Sequence, residues 1–473
     1  MSLSADGSSG GDGETLAELI ARRGIEDPDA VFLEDARSER VIRYRDLVEL
    51  PARAAALGAE AVLIAPEDPI DFALVYLAVL AAGLRAAPVA PDSSAAALET
   101  LAGQFPGSAV VVRALDELPA AAHAAPSGER GSAVLFTSGS TGTPKGVELS
   151  EEQLLHVARA VAAHNELSPE DRGYNPLPLF HINAEVVALL ATLVAGGTLV
   201  LDRRFHRTGF WELMRERRVT WINAVPAILA ILAKEPVEAP RGLRFIRSAS
   251  APLPDPVAAA FDGVPLIVSY GMTEAASQIT ATPLDGSAPR GSVGRAVGAE
   301  LEVRDDDGAL LPAASVGLIW IRGRGVISHY FGDVAADRFD KDGWLRTGDL
   351  GSVDADGFVT LVGRSDDVIN RGGELVYPAD VEDVLLGDAR VREAVVVAKP
   401  DEVLGQVPVA FVIPDGDETD AESLRVALLE RAAAELPRHL RPVELTVTDE
   451  LPRAATGKVQ RARIRAALQE DDA

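Results

Sequence analysis

The sequence predicts an α/β protein. The expected layout is a large N-terminal domain of stacked α/β sheets with a small β-rich subdomain, followed by a small α+β C-terminal domain. Three observations carry this. Between Val31 and Val112, short apolar pieces ("AVLIA", "APVAP", "AVVVR") alternate with alanine-rich helical stretches, the rhythm of a parallel sheet covered by helices. From Gly291 the pattern changes to short strands and turns, "AELEVRDDDGALL", "VGLIWIRG" and "DGFVTLVG". After "GRSDDVINRGGELVYP" come roughly a hundred residues with strands and helices of their own, enough for a small domain.

Taken in order, residues 1–14 ("MSLSADGSSGGDGE") are polar, acidic and glycine-rich, and read as a disordered tail rather than a signal peptide. The large domain is then expected over 15–364 and the small one over 365–473. The apolar run "FALVYLAVLAAGL" stops at Arg85, short of the roughly 20 residues a membrane span needs, so a buried helix is expected. "EEQLLHVARAVAAHN" reads as a helix, and "VVALLATLVAGGTLVL" breaks at Gly196 and Gly197 into helix, turn and buried strand, leaving no membrane span. "VTWINAV", "RFIRSAS" and "PLIVSYG" read as strands with polar residues at their carboxyl ends, where ligands collect in open α/β sheets. In the last domain "EAVVVAK" and "VPVAFVIP" are strands, and "ESLRVALLERAAAEL" and "QRARIRAALQ" are helices.

Composition excludes several classes of function. A formal charge of −27 over 473 residues opposes any encounter with a polyphosphate backbone, so nucleic acid is not an expected partner. With no cysteine, disulfides, thiolate metal sites and a thiol nucleophile are impossible, and a cytoplasmic location is permitted. Only five lysines occur, at 145, 234, 341, 399 and 458, in a chain that otherwise uses arginine. A compact mobile ammonium suits close contact with a reacting phosphate, which draws attention to Lys145 and Lys458.

Lys145 closes the loop "TSGSTGTPKG", which follows the apolar run "SAVLF". Glycines let backbone N–H groups converge, hydroxyls add donors and lysine adds charge, so a phosphate chain is the expected guest. The loop is not of the common nucleotide-binding type, because Lys145 is preceded by Pro144 and followed by Gly146.

Six further motifs follow in order: "PLFHINA" (178–184), "SASAPLP" (248–254), "SYGMTE" (269–274), "GWLRTGDLG" (343–351), "GRSDDVINRGGELVYP" (363–378) and "PRAATGKVQR" (452–461). With the loop, they resemble the adenylate-forming superfamily of acyl-CoA synthetases, aryl-CoA ligases, luciferases and peptide-synthetase adenylation domains, from about Gly24 to Ala467. The resemblance implies that a carboxylate attacks the α-phosphate of ATP, releasing pyrophosphate, and that a thiol captures the acyl-adenylate. Such a site must neutralise charge at an in-line transition state and hold both reactants in register.

By this resemblance Thr137, Ser138, Gly139, Ser140, Thr141, Gly142 and Lys145 would wrap the β- and γ-phosphates. Glu274 would bind Mg²⁺, with Thr141 as a second contact to the metal, and Thr273 would touch the α-phosphate. Ser250, Ala251 and Pro252 would line one side of adenine, and Tyr270 with Gly271 the other. Family members usually show glycine near Ser250, so the pocket is expected to depart from the common shape there. Asp349 would accept both ribose hydroxyls, assisted by Arg364. Lys458 would bridge the carboxylate and the α-phosphate. Asp366 matches the hinge position, from which the resemblance implies a mobile C-terminal domain, and Gly372 with Gly373 would leave a slot for a slender thiol arm.

His181 matches the position that gates the acyl pocket and stands where enzymes for α-amino acids carry aspartate, so a free ammonium lacks its usual counter-charge. Pocket walls are expected from Asn183, Ala184, Val187, Asn223, Ser248, Met272 and Ala276, a mixture suited to a small carboxylic acid. Glu185 either faces solvent or meets a polar substituent of the acid. "RGGELVYP" looks like the acyl-CoA synthetase version of its loop, which favours coenzyme A as acceptor, with C-terminal arginines such as Arg461 and Arg465 available to its phosphates. An acyl carrier protein, an amine or another acceptor remains open, as does a silent nucleotide sensor, although a binder needs no transition-state lysine. A monomer or homodimer is expected.

Overall fold

The computed structural model describes residues 13–120, 128–137, 145–332, 336–416, 420–453 and 459–471. Its contacts divide the chain into two units. The first comprises Met1–Glu302, Trp320–Arg346 and Val353–Thr360; the second comprises Val303–Ile319, Thr347–Ser352 and Leu361–Ala473.

The first unit is built on two sheets. Five strands are ordered Ala109–Val112, Ala61–Ile64, Arg85–Pro88, Ser132–Thr137 and Lys145–Ser150. The first four run parallel, and the last pairs antiparallel as a hairpin. The helix Pro69–Ala81 starts where Asp68 accepts the N–H groups of Ile70 and Asp71, and it is buried throughout from Phe72 to Ala81. A helix apolar all round is a core helix, which accounts for the run that falls short of a membrane span. None of the described helices is long and apolar enough to cross a membrane.

The second sheet has nine strands, in the order Arg295–Ala296, Thr280–Ala281, Leu266–Tyr270, Phe245–Ser248, Trp221–Ala224, Arg172–Asn175, Thr198–Leu201, Val31–Asp35, Val41–Arg43. The six from Leu266–Tyr270 to Val31–Asp35 are parallel. Trp221–Ala224, Phe245–Ser248 and Thr198–Leu201 are buried at every residue, as strands covered on both faces must be. The helix break expected at Gly196 is there: its φ of 82° ends the helix Ala191–Ala195.

After Gly291 a four-stranded sheet appears, ordered Glu300–Arg304, Gly317–Arg322, Leu345–Val353 and Val359–Arg364, where β-rich structure was expected.

In the second unit Glu374–Val376, Ile369–Arg371, Gly405–Pro414 and Val391–Asp401 form a sheet, and Glu444–Val447 pairs parallel to Gly405–Pro414. Side chains alternate across a strand, so "AVVV" serves two cores. Ala394 and Val396 pack with Leu424 and Leu428 of the helix Ala421–Glu435, whereas Val395 and Val397 pack with Ile464 of the helix Arg461–Asp471. The unbroken apolar run is thereby explained.

Candidate active site

The strand Leu266–Tyr270 and its neighbour Thr280–Ala281 pair antiparallel, Ser269 opposite Ala281 and Tyr270 opposite Thr280, and so close the loop 271–279. Within it Thr273–Ala275 makes one tight turn, and Ala276 and Ser277 reverse the chain with φ of 47° and 90°. A Cβ at Gly271 would lie 1.4 Å from the Ser277 carbonyl oxygen, so the loop closes this tightly only over glycine.

This geometry buries Glu274 at 8% exposure. Its Oε1 accepts the Tyr330 hydroxyl at 2.7 Å and Arg338 Nη1 at 3.3 Å, and its carbonyl oxygen accepts the Ile327 N–H at 2.9 Å. Tyr330 and Arg338 are partners that sequence reasoning missed; they lie 56 and 64 residues away, with no motif to announce them. Met272 and Thr273 are half-buried, Ala276 is buried and Gly271 is exposed.

Beside this loop the strand Phe245–Ser248 ends in the segment 250–252, which is exposed. Ser250 has a φ of 78°, the left-handed region that favours glycine, which gives physical content to the departure noted there.

A polar cluster lies behind these strand ends. Asn223, at the end of Trp221–Ala224, donates from Nδ2 to Oδ1 of Asn175 at 3.0 Å and to Oδ1 of Asn183 at 2.8 Å. Arg247 stands opposite Asn223 in register, donating to Asn223 Oδ1 at 3.3 Å and to Gln278 Oε1 at 3.2 Å. Arg247 is 1% exposed and pairs with no carboxylate among the described residues; burial pushes its pKa down to about 9. Asn183 heads the helical segment Asn183–Leu190, two residues after His181, whose ring packs against Phe180 with centroids 4.5 Å apart. Ala184, Val187 and Ser248 are buried and Asn183 is half-buried.

Sequence reasoning named Asn183 and Asn223, which the structure brings together, but passed over Arg247 and Gln278. The signal was present: one charged residue inside the apolar strand "FIRS".

The two readings left open for Glu185 are narrowed, because it is fully buried and cannot face solvent. Its neighbour is the Tyr76 hydroxyl, but their approach falls short of hydrogen-bond geometry. Burial raises the Glu185 carboxyl to about 8, outweighing the Tyr76 contact, which works the other way.

In the second unit Arg364 Nη1 donates to Asp349 Oδ1 at 3.1 Å and to the Thr347 carbonyl at 3.2 Å, and its Nε donates to Asp366 Oδ1 at 3.2 Å. The expected ribose acceptor, its expected assistant and the expected hinge residue are thus linked. Gly372 and Gly373, with φ of 63° and 95°, form the two-residue turn joining Ile369–Arg371 to Glu374–Val376, a conformation glycine adopts freely. The arginines expected to meet CoA phosphates have internal partners. Arg461 Nη2 lies 2.5 Å from Glu382, Arg465 Nη1 lies 2.6 Å from Asp367 and Arg453 Nη2 lies 2.5 Å from Glu393. These three are therefore already paired within the second unit.

Thr137 and Lys145, at the two ends of the glycine-rich loop, pair in the antiparallel ladder. Ser138, Gly139, Ser140, Thr141 and Gly142 lie outside the described residues, as do the side chains of Thr137 and Lys145. Lys458 lies outside them too; the flanking residues Arg453 and Val459 pair across an antiparallel bridge.

Residues 109–331 match the family profile "AMP-binding enzyme", and 380–458 match "AMP-binding enzyme C-terminal domain". The sulfoacetate–CoA ligase of Cupriavidus necator is 36% identical, over 95% of this chain and 97% of that protein. The chain belongs to the AMP-binding enzyme family. The indoleacetate–CoA ligase of Aromatoleum aromaticum is also 36% identical, over 70% of this chain and 66% of the relative. Among solved structures, O-succinylbenzoate coenzyme A synthetase from Bacillus subtilis, in complex with ATP and magnesium ion, aligns with a TM-score of 0.83 at 28% identity, covering 95% of this chain and 99% of that one. The α/β architecture expected from the sequence is that of this AMP-binding enzyme and its structural neighbours.

A cation carried by ATP fits the residues present. No group of three or more His, Asp or Glu gathers to hold a metal among the described residues of this AMP-binding enzyme. Glu274 supplies a single oriented carboxylate, which suits a Mg²⁺ that takes its remaining ligands from phosphates and water.

Proposed function

We propose that this chain is an AMP-forming acid–thiol ligase acting on a small carboxylic acid and coenzyme A. In the first step an oxygen of the acid bonds to the α-phosphorus of ATP while the bond to the bridging oxygen breaks, and pyrophosphate leaves with the electron pair. In the second the CoA thiolate attacks the acyl carbon and AMP departs. The observation that carries this reading is 36% identity along 95% of the chain to a CoA ligase, with the motifs of both steps present in order.

Thr137, Ser138, Gly139, Ser140, Thr141, Gly142 and Lys145 grip the leaving phosphates, Lys458 neutralises charge at the reacting oxygens, and Glu274 orients Mg²⁺ on the phosphates. When bound, that ion withdraws charge from the departing pyrophosphate. Asp349, held by Arg364, receives the ribose. Asp366 serves as hinge, with Gly372 and Gly373 beside the thiol path. Residues 15–364 and 365–473 act as the two working domains, in a cytoplasmic monomer or homodimer. The relatives do not agree on the acid: sulfoacetate and O-succinylbenzoate carry two acidic groups, indoleacetate one.

The test is acid-dependent pyrophosphate release from ATP and Mg²⁺, followed by assay for the CoA thioester. Release that depends on acid, with thioester formed from CoA, is expected. Thioester formed only on a holo-carrier protein would overturn the choice of CoA. No release across fatty, aryl and short dicarboxylic acids would overturn the ligase.

A further inference from the structure

We infer that the acid taken by this site bears a second anionic group, carboxylate or sulfonate, and that Asn183 receives it through an amide N–H whose direction is set by Arg247 acting through Asn223. The inference rests on the ligase reading and names the substrate class of that same site.

The direction follows from what each group can do. A guanidinium only donates, so the oxygen of Asn223 must face Arg247, as it does at 3.3 Å. The nitrogen of Asn223 then points the other way and donates to the oxygens of Asn175 and Asn183. Asn175 repeats the polarity, its Nδ2 donating to the Leu177 carbonyl at 2.8 Å. An isolated asparagine can present either end of its amide, but here the far end of the chain is fixed by a cation. The oxygen of Asn183 is therefore taken from behind. No group among the described residues accepts from its nitrogen, and Asn183 is half-buried at the start of its helix beside His181. It presents a donor.

Charge makes the same demand. Arg247 is buried against two amide oxygens with no carboxylate in reach among the described residues, and a buried cation lacking a counter-ion is costly. Its Nε and the Nε2 of Gln278 are also buried without acceptors. Its field reaches neighbouring groups: His164 is held below its usual pKa by burial and, in part, by the Arg247 charge. Donors exceed acceptors and positive charge exceeds negative, so an anionic tail on the acid corrects both surpluses where a methyl group corrects neither. Arg247 touches no substrate in this scheme; it is a positioning residue.

The experiment measures pyrophosphate release by the full chain with malonate, succinate and sulfoacetate, each against propionate and butyrate. At least one dianion should exceed the neutral-tailed acids by ~100-fold or more in kcat/KM, carboxylate and sulfonate being separate arms. Arg247→Met and Asn183→Leu should each reduce that ratio by ~30-fold or more while KM for ATP stays constant. A purely structural Arg247 would lower both classes of acid together, and that result overturns the inference. A wild-type enzyme that prefers propionate or butyrate overturns it while leaving the ligase standing. Release with none of these acids, but with larger neutral ones, does the same. Release with no acid of any class removes both readings. If Arg247→Met does not fold, the wild-type panel and Asn183→Leu still decide.

Discussion

Arg247 and Arg364 both stand at the carboxyl end of a strand, and their surroundings are opposite. Arg247, next to last in Phe245–Ser248, is fully buried against amide oxygens. Arg364 closes Val359–Arg364, is partly open to solvent and has two carboxylates, Asp349 and Asp366. Burial works against the Arg364 charge too, but the two carboxylates outweigh it and raise its pKa, whereas nothing offsets burial at Arg247. One cation is satisfied and serves to hold a carboxylate in place. The other pairs with no carboxylate among the described residues and, in the inference above, orients neutral groups toward an anionic tail on the acid. On the proposed roles, the same side chain organises nucleotide recognition in one unit and acid recognition in the other.

The largest effect should come from outside both clusters and set the scale for them. Lys458→Ala is expected to slow pyrophosphate exchange by ~10³-fold while leaving thiol capture from supplied acyl-adenylate intact. Equal loss of both half-reactions would show that neither arginine cluster can be read in terms of separate steps. Next comes the contrast itself. Arg364→Met should raise KM for ATP by ~10-fold or more without altering the choice among acids, the reverse of Arg247→Met. If both variants shift the same parameter, the division of labour between the two cations is wrong.

Glu185 extends the comparison to an acid, since it too is buried with no counter-charge among the described residues. Its folded pKa of about 8 lies above the ordinary carboxyl value of 4.5. Between those two pH values the folded state keeps a proton that the unfolded chain has lost, so its contribution to stability declines as pH rises and is gone above about 8. Glu185→Gln does not titrate. Its melting temperature should therefore gain on wild type between pH 5 and pH 9, and a gap independent of pH would mean that Glu185 has an unseen partner. The smallest effect is expected at Ser250. Its left-handed backbone costs a non-glycine residue about 1 kcal/mol, partly offset by the freedom glycine gains when unfolded, so Ser250→Gly should stabilise by under ~1 kcal/mol in chemical denaturation. A clear loss would mean that the hydroxyl holds the turn.

Much of this was legible in the chain because it is local. Alanine-rich helices between short apolar strands, the break at Gly196 and the strand "EAVVVAK" follow from pattern over a few residues, whereas the two cores that strand serves emerge only in the structure. The candidate residues put forward from sequence are mostly those within motifs, as with Asn183, Glu274 and Asp349. What escaped was set by distance and by solvent. Arg338 and Tyr330 reach Glu274 from beyond 50 residues away. Arg247 was hidden by composition: in a chain with 45 basic residues and only five lysines, one more arginine reads as a generic surface charge, and only the sheet on either side shows that it is not. Glu185 likewise could not be placed until its helix had neighbours.

The row of amides between Arg247 and the proposed acid pocket is anchored at its deep end, so its outermost letter can be rewritten alone. Asn183→Asp would leave Asn223 donating as before, yet turn the last group from a giver of protons into a holder of negative charge. Such an enzyme should refuse acids with anionic tails and admit those ending in an ammonium, giving redesign a handle that leaves the interior untouched.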